Sequence, residues 1–137
     1  MSDPSQDDPT IGDGVALWRR IGPSWVIKDS NLGRLRPTSQ AFQNQRGGEA
    51  FSIHISTDAA AIGLGPQDLV AGLTGFGMAE FGAGLARELR QGVVRVPEEG
   101  EIGHGHVVGK KSKSVREQFA KQSVLIIPPE PAGEDLP

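Results

Sequence analysis

The sequence predicts an α+β fold: a single compact domain with a mixed or antiparallel sheet of about five or six strands and two or three helices. Short apolar runs bounded by Gly and Pro are typical of strands. A Ser-x-x-Glu pattern late in the chain indicates the start of a helix. The chain has 137 residues, the size of one ordinary domain, and its 19 Gly and 10 Pro indicate many turns.

The first part of the chain predicts two strands, a long loop and a third strand. Residues 15–21 and 25–28 are apolar runs joined by a Gly22-Pro23 turn, whereas residues 29–50 are polar and punctuated by Gly and Pro, so we expect a loop there. Residues 51–56 alternate, which predicts a half-buried strand. Its apolar face carries Phe51, Ile53 and Ile55, and its polar face carries Ser52, His54 and Ser56.

The middle of the chain predicts a helix followed by a segment of mixed structure. Pro66 suits the first turn of a helix. The stretch 69–86 is almost wholly apolar and close to the length of a membrane span, but its glycines and Glu80 argue against one. We expect the helix to end near Gly72 and a mixed segment to continue through Arg90.

The last part of the chain predicts three strands and one helix. The strands are expected at residues 92–96, 102–108 and 124–127. Ser114 and Glu117 have the spacing of a capping box, so Ser114 is the expected N-cap of a helix running from residue 115 to about 122.

Charge is distributed unevenly along the chain. Seven of the 17 acidic residues lie at the two ends, whereas all 14 basic residues lie between Arg19 and Lys121, so the body is net basic although the whole chain has a formal charge of −3. Pro-rich acidic ends have little to bury. We therefore expect disordered acidic tails at residues 1–13 and 129–137 around one domain at 14–128, and we expect trimming of the ends to leave the fold intact.

Composition excludes several classes of site. The chain has no Cys, which removes disulfides, thiolate zinc sites and cysteine nucleophiles. The N-terminal sequence has neither the basic nor the apolar region of a secretory signal. A cytoplasmic protein without a membrane partner is the expectation.

The segment 103–117 carries the main candidate chemistry. His104 and His106 are two residues apart on a predicted strand and face the same way. The free amide groups at the start of the following helix, together with neighbouring lysines, favour an anion such as a phosphate group. The predicted catalytic residues are His54, His104 and His106, and the predicted ligand-binding residues are Lys110, Lys111, Ser112, Ser114 and, from the long loop, Arg36.

A metal site is the alternative interpretation of these histidines. His-x-His can supply two imidazole ligands, and His54, Glu80 or Glu101 would have to complete the set. Nothing in the sequence brings those residues together, so we predict no metal, and the sequence names no cofactor.

Three short patterns resemble known families. His54-Ile-Ser56 resembles one half of the paired His-x-Ser/Thr signature of the 2H phosphoesterases, which act on cyclic phosphates and RNA ends, although Val108 stands where a second copy needs a hydroxyl. Arg19 or Arg20, Ser52 and Glu80 are similar to the Arg, Ser and Glu of ADP-ribosyltransferases. Over about residues 15–128 the chain also resembles a small bacterial protein family, and this resemblance implies no activity. The segments that carry it are Leu17-Trp-Arg-Arg20, Arg36-Pro-Thr-Ser-Gln-Ala-Phe42 and His106-Val-Val-Gly-Lys-Lys111.

Two functions follow, and the sequence does not decide whether the protein is an enzyme. In the first, the protein binds or processes a phosphate-bearing ligand, a nucleotide or an RNA end, with the histidines as acid and base and the lysines stabilising charge. In the second, it is a non-catalytic protein-interaction module, such as one partner of an operon-encoded pair. Convergence of His54 with His104 and His106 on one pocket beside the helix start would favour the first.

Overall fold

A computed structural model describes residues 6–46, 48–98 and 103–130 and confirms the α+β prediction. Six strands form an antiparallel sheet in the order β6-β7-β4-β1-β5-β8, and β2 pairs with β3 in a separate hairpin. The strands are β1 Ala16–Ile21, β2 Val26–Asp29, β3 Arg34–Pro37, β4 Ala50–Ile55, β5 Gly77–Gly82, β6 Gly92–Arg95, β7 His104–Val108 and β8 Val124–Ile127. The helices are α1 Ser56–Ala60, α2 Pro66–Leu69, α3 Ala83–Glu88 and α4 Lys113–Gln122, with a 3-10 helix at Ser39–Phe42.

Four phenylalanines form the centre of the core on one face of the sheet, which we call the helix face. Phe51 and Phe81 project from β4 and β5, and Phe119 of α4 stacks on Phe42 of the 3-10 helix at 5.5 Å between ring centroids. Edge-to-face contacts at 5.1–6.3 Å join the remaining pairs. These contacts fix α4 across the sheet, because each ring fills the space left by its neighbours.

The opposite face of the sheet, which we call the histidine face, is covered over part of its width. The segment containing α1 and α2 packs on Trp18 and Met78 through Ala59 and Leu69. The indole N–H of Trp18 donates to Glu80 Oε1 at 2.9 Å, so the carboxylate on this face has a partner. The strands β4 and β7 lie beyond this cluster.

Two of the segments predicted to be irregular contain regular structure. Within residues 29–50, β3 and the 3-10 helix interrupt the expected loop. The helix predicted from Pro66 ends at Leu69, and Gly72 and Gly75 then turn the chain with positive φ angles of 81° and 78°. The mixed segment that follows is β5 and α3, while α1 had no counterpart in the prediction.

The predicted N-cap of α4 is wrong by two residues. The helix begins at Lys113, and the Ser112 hydroxyl accepts the Val115 N–H at 3.2 Å. Ser114 lies in the first turn with an exposed side chain. Both serines offer a capping hydroxyl, and only the path of the chain from β7 selects Ser112.

The N-terminal segment, residues 7–13, contacts the body of the protein, which differs from the expected solvated tail. Ile11 is 1% exposed and belongs to the main core. Asp8 N–H donates to the Val93 carbonyl at 2.8 Å, and Val93 N–H donates to Asp7 Oδ1 at 2.9 Å, so the segment covers the edge of β6. Residues 1–5 and 131–137 lie outside the described residues. Among the described helices, none is long and apolar enough to cross a membrane.

Ile11→Ala should lower the free energy of unfolding by about 2–4 kcal/mol, because a fully buried aliphatic side chain is removed from the core. Ile62→Ala is the matched control, since Ile62 is 55% exposed and its loss should cost under about 0.5 kcal/mol. Urea unfolding of both variants provides the measurement. Equal stability of the two variants would mean that the N-terminal segment does not pack on the core.

Ser112→Ala should lower the free energy of unfolding by about 1 kcal/mol, because the Val115 N–H loses its capping acceptor. Ser114→Ala should change it by less than about 0.5 kcal/mol, because that hydroxyl is on the helix surface. Thermal and urea unfolding of the two variants decide between the caps. A larger loss of unfolding free energy in Ser114→Ala than in Ser112→Ala would show that Ser114 is the N-cap.

Candidate functional site

The three histidines lie together on the histidine face. In the antiparallel register, His54 of β4 is opposite His104 of β7, and Ser52 is opposite His106. The ring centroids of His54 and His104 are 6.1 Å apart, and those of His104 and His106 are 5.2 Å apart. The common orientation predicted for His104 and His106 is confirmed, and the sheet adds His54 to the pair.

A small pocket opens beside this cluster where β1 meets β4. These strands pair at Leu17–Ile55 and Trp18–His54. One residue further along β1, Arg19 Nη1 donates to the Ser52 carbonyl at 2.8 Å, so a side-chain donor reaches β4 at this level. The pocket has a volume of about 160 Å³ and is lined by Arg19, Arg20, Ser52, His54, Glu98 and His104.

Arg19 and Arg20 are neighbours on β1 and point to opposite faces of the sheet, so the Arg20 side chain shares the histidine face with the pocket and the Arg19 guanidinium lies on the helix face. Arg19 Nε donates to the Ala41 carbonyl at 2.8 Å, and its guanidinium carbon is 4.8 Å from the centroid of the Phe51 ring. Burial lowers the pKa of Arg19 to about 10, which leaves the group charged at neutral pH. Arg20 Nε donates to the Leu69 carbonyl at 2.6 Å. The lining side chains on this face therefore include the guanidinium of Arg20 and the carboxylate of Glu98.

His104 is held in a defined tautomer. Its Nδ1 lies 3.0 Å from the Val96 carbonyl oxygen, which can only accept, so Nδ1 carries the proton. In the neutral ring Nε2 is then the nitrogen that can accept a proton or a hydrogen bond. Glu98 Oε2, at 3.6 Å from Nδ1, can stabilise the ring when it is protonated.

His106 stays neutral at pH 7. Burial lowers its pKa. Electrostatic interactions with His104 and Lys111 lower this pKa further, whereas the carboxylate of Glu98 raises it. His106 therefore adds an uncharged imidazole beside His104.

The predicted lysines and helix start do not join the histidines in one site. The Lys111 ammonium donates to the carbonyls of Val107 (3.0 Å) and Gly109 (2.8 Å) and lies 5.0 Å from the Phe51 ring, which places it on the helix face. The side chains of β4 alternate, so Phe51 and His54 face opposite ways. The expectation of one combined His/Lys site at the helix start is therefore wrong.

The remaining predicted ligand-binding residues also lie away from the pocket. Ser112 caps α4 and Ser114 is exposed in its first turn. Lys110 has an exposed side chain, and its carbonyl accepts from Gln91 Nε2 at 2.9 Å. Arg36 lies in the β2–β3 hairpin, where its Nε is 2.6 Å from Asp29 Oδ2.

Sequence reasoning did not assign Arg20 and Glu98 to the site, although Arg20 and Ser52 entered through the resemblance to ADP-ribosyltransferases. The third residue of that resemblance, Glu80, is bound by the Trp18 indole and does not line the pocket. Ser56, the hydroxyl residue of the 2H-like motif, begins α1. A signal for Arg20 was present, because neighbouring strand residues point to opposite faces, so one of Arg19 and Arg20 had to share the face of His54.

The described residues contain no group of three or more His, Asp or Glu side chains arranged to hold a metal ion. Glu101, a candidate ligand in the alternative interpretation, lies outside the described residues.

No family model, no curated protein and no solved structure matches this chain.

The free energy of unfolding should rise between pH 7 and pH 9, and Lys111→Met should remove that rise. Burial lowers the pKa of Lys111 from its ordinary 10.5 to about 7. The positive charge of Arg19 also lowers this pKa, and the negative charge of Glu49 raises it. Between these values the unfolded chain binds more protons than the folded one, so stability increases with pH.

Urea unfolding of the wild type and of Lys111→Met at several pH values tests this expectation. The chain has no Tyr and no Cys, so few other side chains titrate in this window. Lys110→Met is the matched control and should keep the wild-type slope. An identical slope in Lys111→Met would show that Lys111 titrates as an ordinary lysine.

Proposed function

We propose that this protein binds and processes a phosphate-bearing ligand in the pocket between β1, β4 and β7. One observation carries the proposal: His54 and His104, from neighbouring strands, line the same pocket as Arg20, whose side chain shares their face of the sheet. Fixed guanidinium groups suit phosphate oxygens because their planar fork donates paired hydrogen bonds. Imidazoles supply proton transfer near neutral pH.

The size of the pocket sets the part of the ligand that enters. A volume of about 160 Å³ is well below the ~300–1,000 Å³ of clefts that enclose drug-sized molecules. A single phosphoryl group fits such a pocket, with the rest of a nucleotide or RNA end lying outside it. The ligand class is therefore a terminal phosphate.

The two imidazoles support a chemical step as well as binding. With ring centroids 6.1 Å apart, His54 and His104 can contact different oxygens of one phosphoryl group. His104, protonated at Nδ1, offers Nε2 as a proton acceptor. His54 would act as the proton donor in such a pair, and Arg20 would stabilise the charge that develops on the phosphoryl oxygens.

An alternative function as a protein-interaction module is supported by apolar residues on the surface. The edge strand β8 exposes Val124 (53%) and Ile126 (36%), and the β2–β3 hairpin exposes Ile27 (41%) and Leu35 (48%). Strand β3 lies beside β8, so the two sets adjoin. Exposed apolar patches often mark contacts with other proteins.

Arg20→Gln should weaken binding of a terminal phosphate by at least about tenfold, equivalent to about 1.4 kcal/mol, because a lining cation is lost. Lys113→Gln is the matched control: it removes the same charge from the exposed start of α4 and should change affinity little. Isothermal titration with inorganic phosphate, a nucleoside monophosphate and a short 3′-phosphorylated RNA provides the affinities. Wild-type affinity should also fall as salt rises.

Two outcomes would contradict the proposal. An equal loss in Arg20→Gln and Lys113→Gln would mean that the pocket does not localise the phosphate. No binding of any of the three probes by the wild type would favour the protein-interaction module. Unfolding measured on each variant separates a loss of binding from a loss of fold.

A further inference from the structure

The orientation of His104 depends on a backbone group just beyond the end of β6. The Val96 N–H donates to the His104 carbonyl at 3.0 Å, and the Val96 carbonyl accepts from His104 Nδ1 at 3.0 Å. One residue therefore holds both the main chain and the ring of His104. Any movement of Val96 would change the donor state and direction of the imidazole.

The position of Val96 depends in turn on the residue before it, Arg95. Arg95 is opposite Gly105 of β7, so its side chain leaves the sheet on the helix face, away from the histidines. Its guanidinium binds Asp58 of α1 through Nε (2.8 Å to Oδ2) and Nη2 (3.3 Å to Oδ1). This paired contact ties the end of β6 to the helix that follows β4.

The N-terminal segment completes the attachment of Arg95. Arg95 Nη1 donates to Asp8 Oδ2 at 3.0 Å and to Thr10 Oγ1 at 2.8 Å. Hydrogen bonds from Thr10, and then the charge of Arg95, lower the pKa of Asp8, so the carboxylate stays ionised at neutral pH. Arg95 is thus held by side chains from two separate parts of the chain.

The same end of the sheet also fixes β4 against β7. Ile55 N–H donates to the Gly103 carbonyl at 2.8 Å, next to the point where His54 and His104 are paired in the sheet. Asp58 lies one turn beyond Ile55 and packs against Gly103, where a side chain would contact both Ile55 and Ala59. The contacts of Arg95 therefore converge on the corner that sets the spacing of the two pocket histidines.

We infer that Arg95, anchored by Asp58 and by the N-terminal segment, is a positioning residue that holds Val96 so that His104 presents Nε2 to the pocket. The hydrogen bonds of the Arg95 side chain to the described residues go to Asp58, Asp8 and Thr10, which do not line that pocket. The effect on ligand binding rests on the proposed function, whereas the effect on the His104 ring does not. Asp8 and Thr10, which bind Arg95, then help to position the site, although they lie across the sheet from it.

The test measures the tautomer of His104 directly. In the wild type, ¹⁵N–¹H correlation of the imidazole at neutral pH should show His104 protonated at Nδ1. Arg95→Gln should give a mixture of the two tautomers and faster exchange of the Nδ1 proton. Asp58→Asn, a milder change that keeps the shape of the side chain, should give the same effect to a smaller extent.

Asp13→Asn is the matched control. Asp13 lies in the same N-terminal segment as Asp8 and Thr10, but its carboxylate binds Arg87 of α3, at 2.6 Å, rather than Arg95. The tautomer of His104 should therefore be unchanged in this variant. A wild-type tautomer in both Arg95→Gln and Asp58→Asn would overturn the inference, as would an equal change in Asp13→Asn.

Phosphate affinity, measured on the same samples, separates this inference from the proposed function. We expect Arg95→Gln to bind inorganic phosphate several-fold more weakly than Asp13→Asn. A shifted tautomer together with a wild type that binds no phosphate would retain Arg95 as a positioning residue and reject the function. If the wild type binds phosphate but the His104 tautomer is unchanged in Arg95→Gln, the proposed function is retained and Arg95 is rejected as a positioning residue.

Discussion

The alternation of side chains along β4 is the constraint on which the rest of the structure depends. Because successive residues of a strand point to opposite faces, burying Phe51, Ile53 and Ile55 places Ser52 and His54 on the other side. A shift of one residue would place those three apolar side chains on the histidine face and the polar side chains in the core. The core on one face therefore fixes the position of the pocket on the other.

The pairing of β4 with β7 extends this constraint to the remaining histidines. Gly105 lies between His104 and His106, and a side chain there would collide with the Val94 carbonyl and with Ile53. The sequence His-Gly-His thus combines two side chains on one face with close backbone packing on the other. The His-x-His spacing that suggested a pair of metal ligands therefore also places a glycine where the packing of the sheet leaves no room for a side chain.

The partly buried Arg19 places its guanidinium against the core on the helix face at an energetic cost. Placing a guanidinium among apolar side chains is unfavourable unless its donors are satisfied. The Ala41 and Ser52 carbonyls accept from it, and the face of the Phe51 ring lies against it, which offsets part of that cost. The N-terminal segment also supplies partners for arginine side chains: Asp7 pairs with Arg87, and Asp8 pairs with Arg95.

The sequence alone determined the fold class, the strands of the main sheet other than β5, and the shared face of His104 and His106, because periodicity and turn residues act over a few neighbours. It could not give the strand order, which brings His54 beside His104 and Arg20 into the same pocket. It also placed Lys111 in an anion site at the helix start and residues 7–13 in a solvated acidic tail. Tertiary structure decided otherwise, because burial depends on partners distant in the chain: the Phe51 ring and two carbonyls for Lys111, and Arg87, Arg95 and the core around Ile11 for the N-terminal segment.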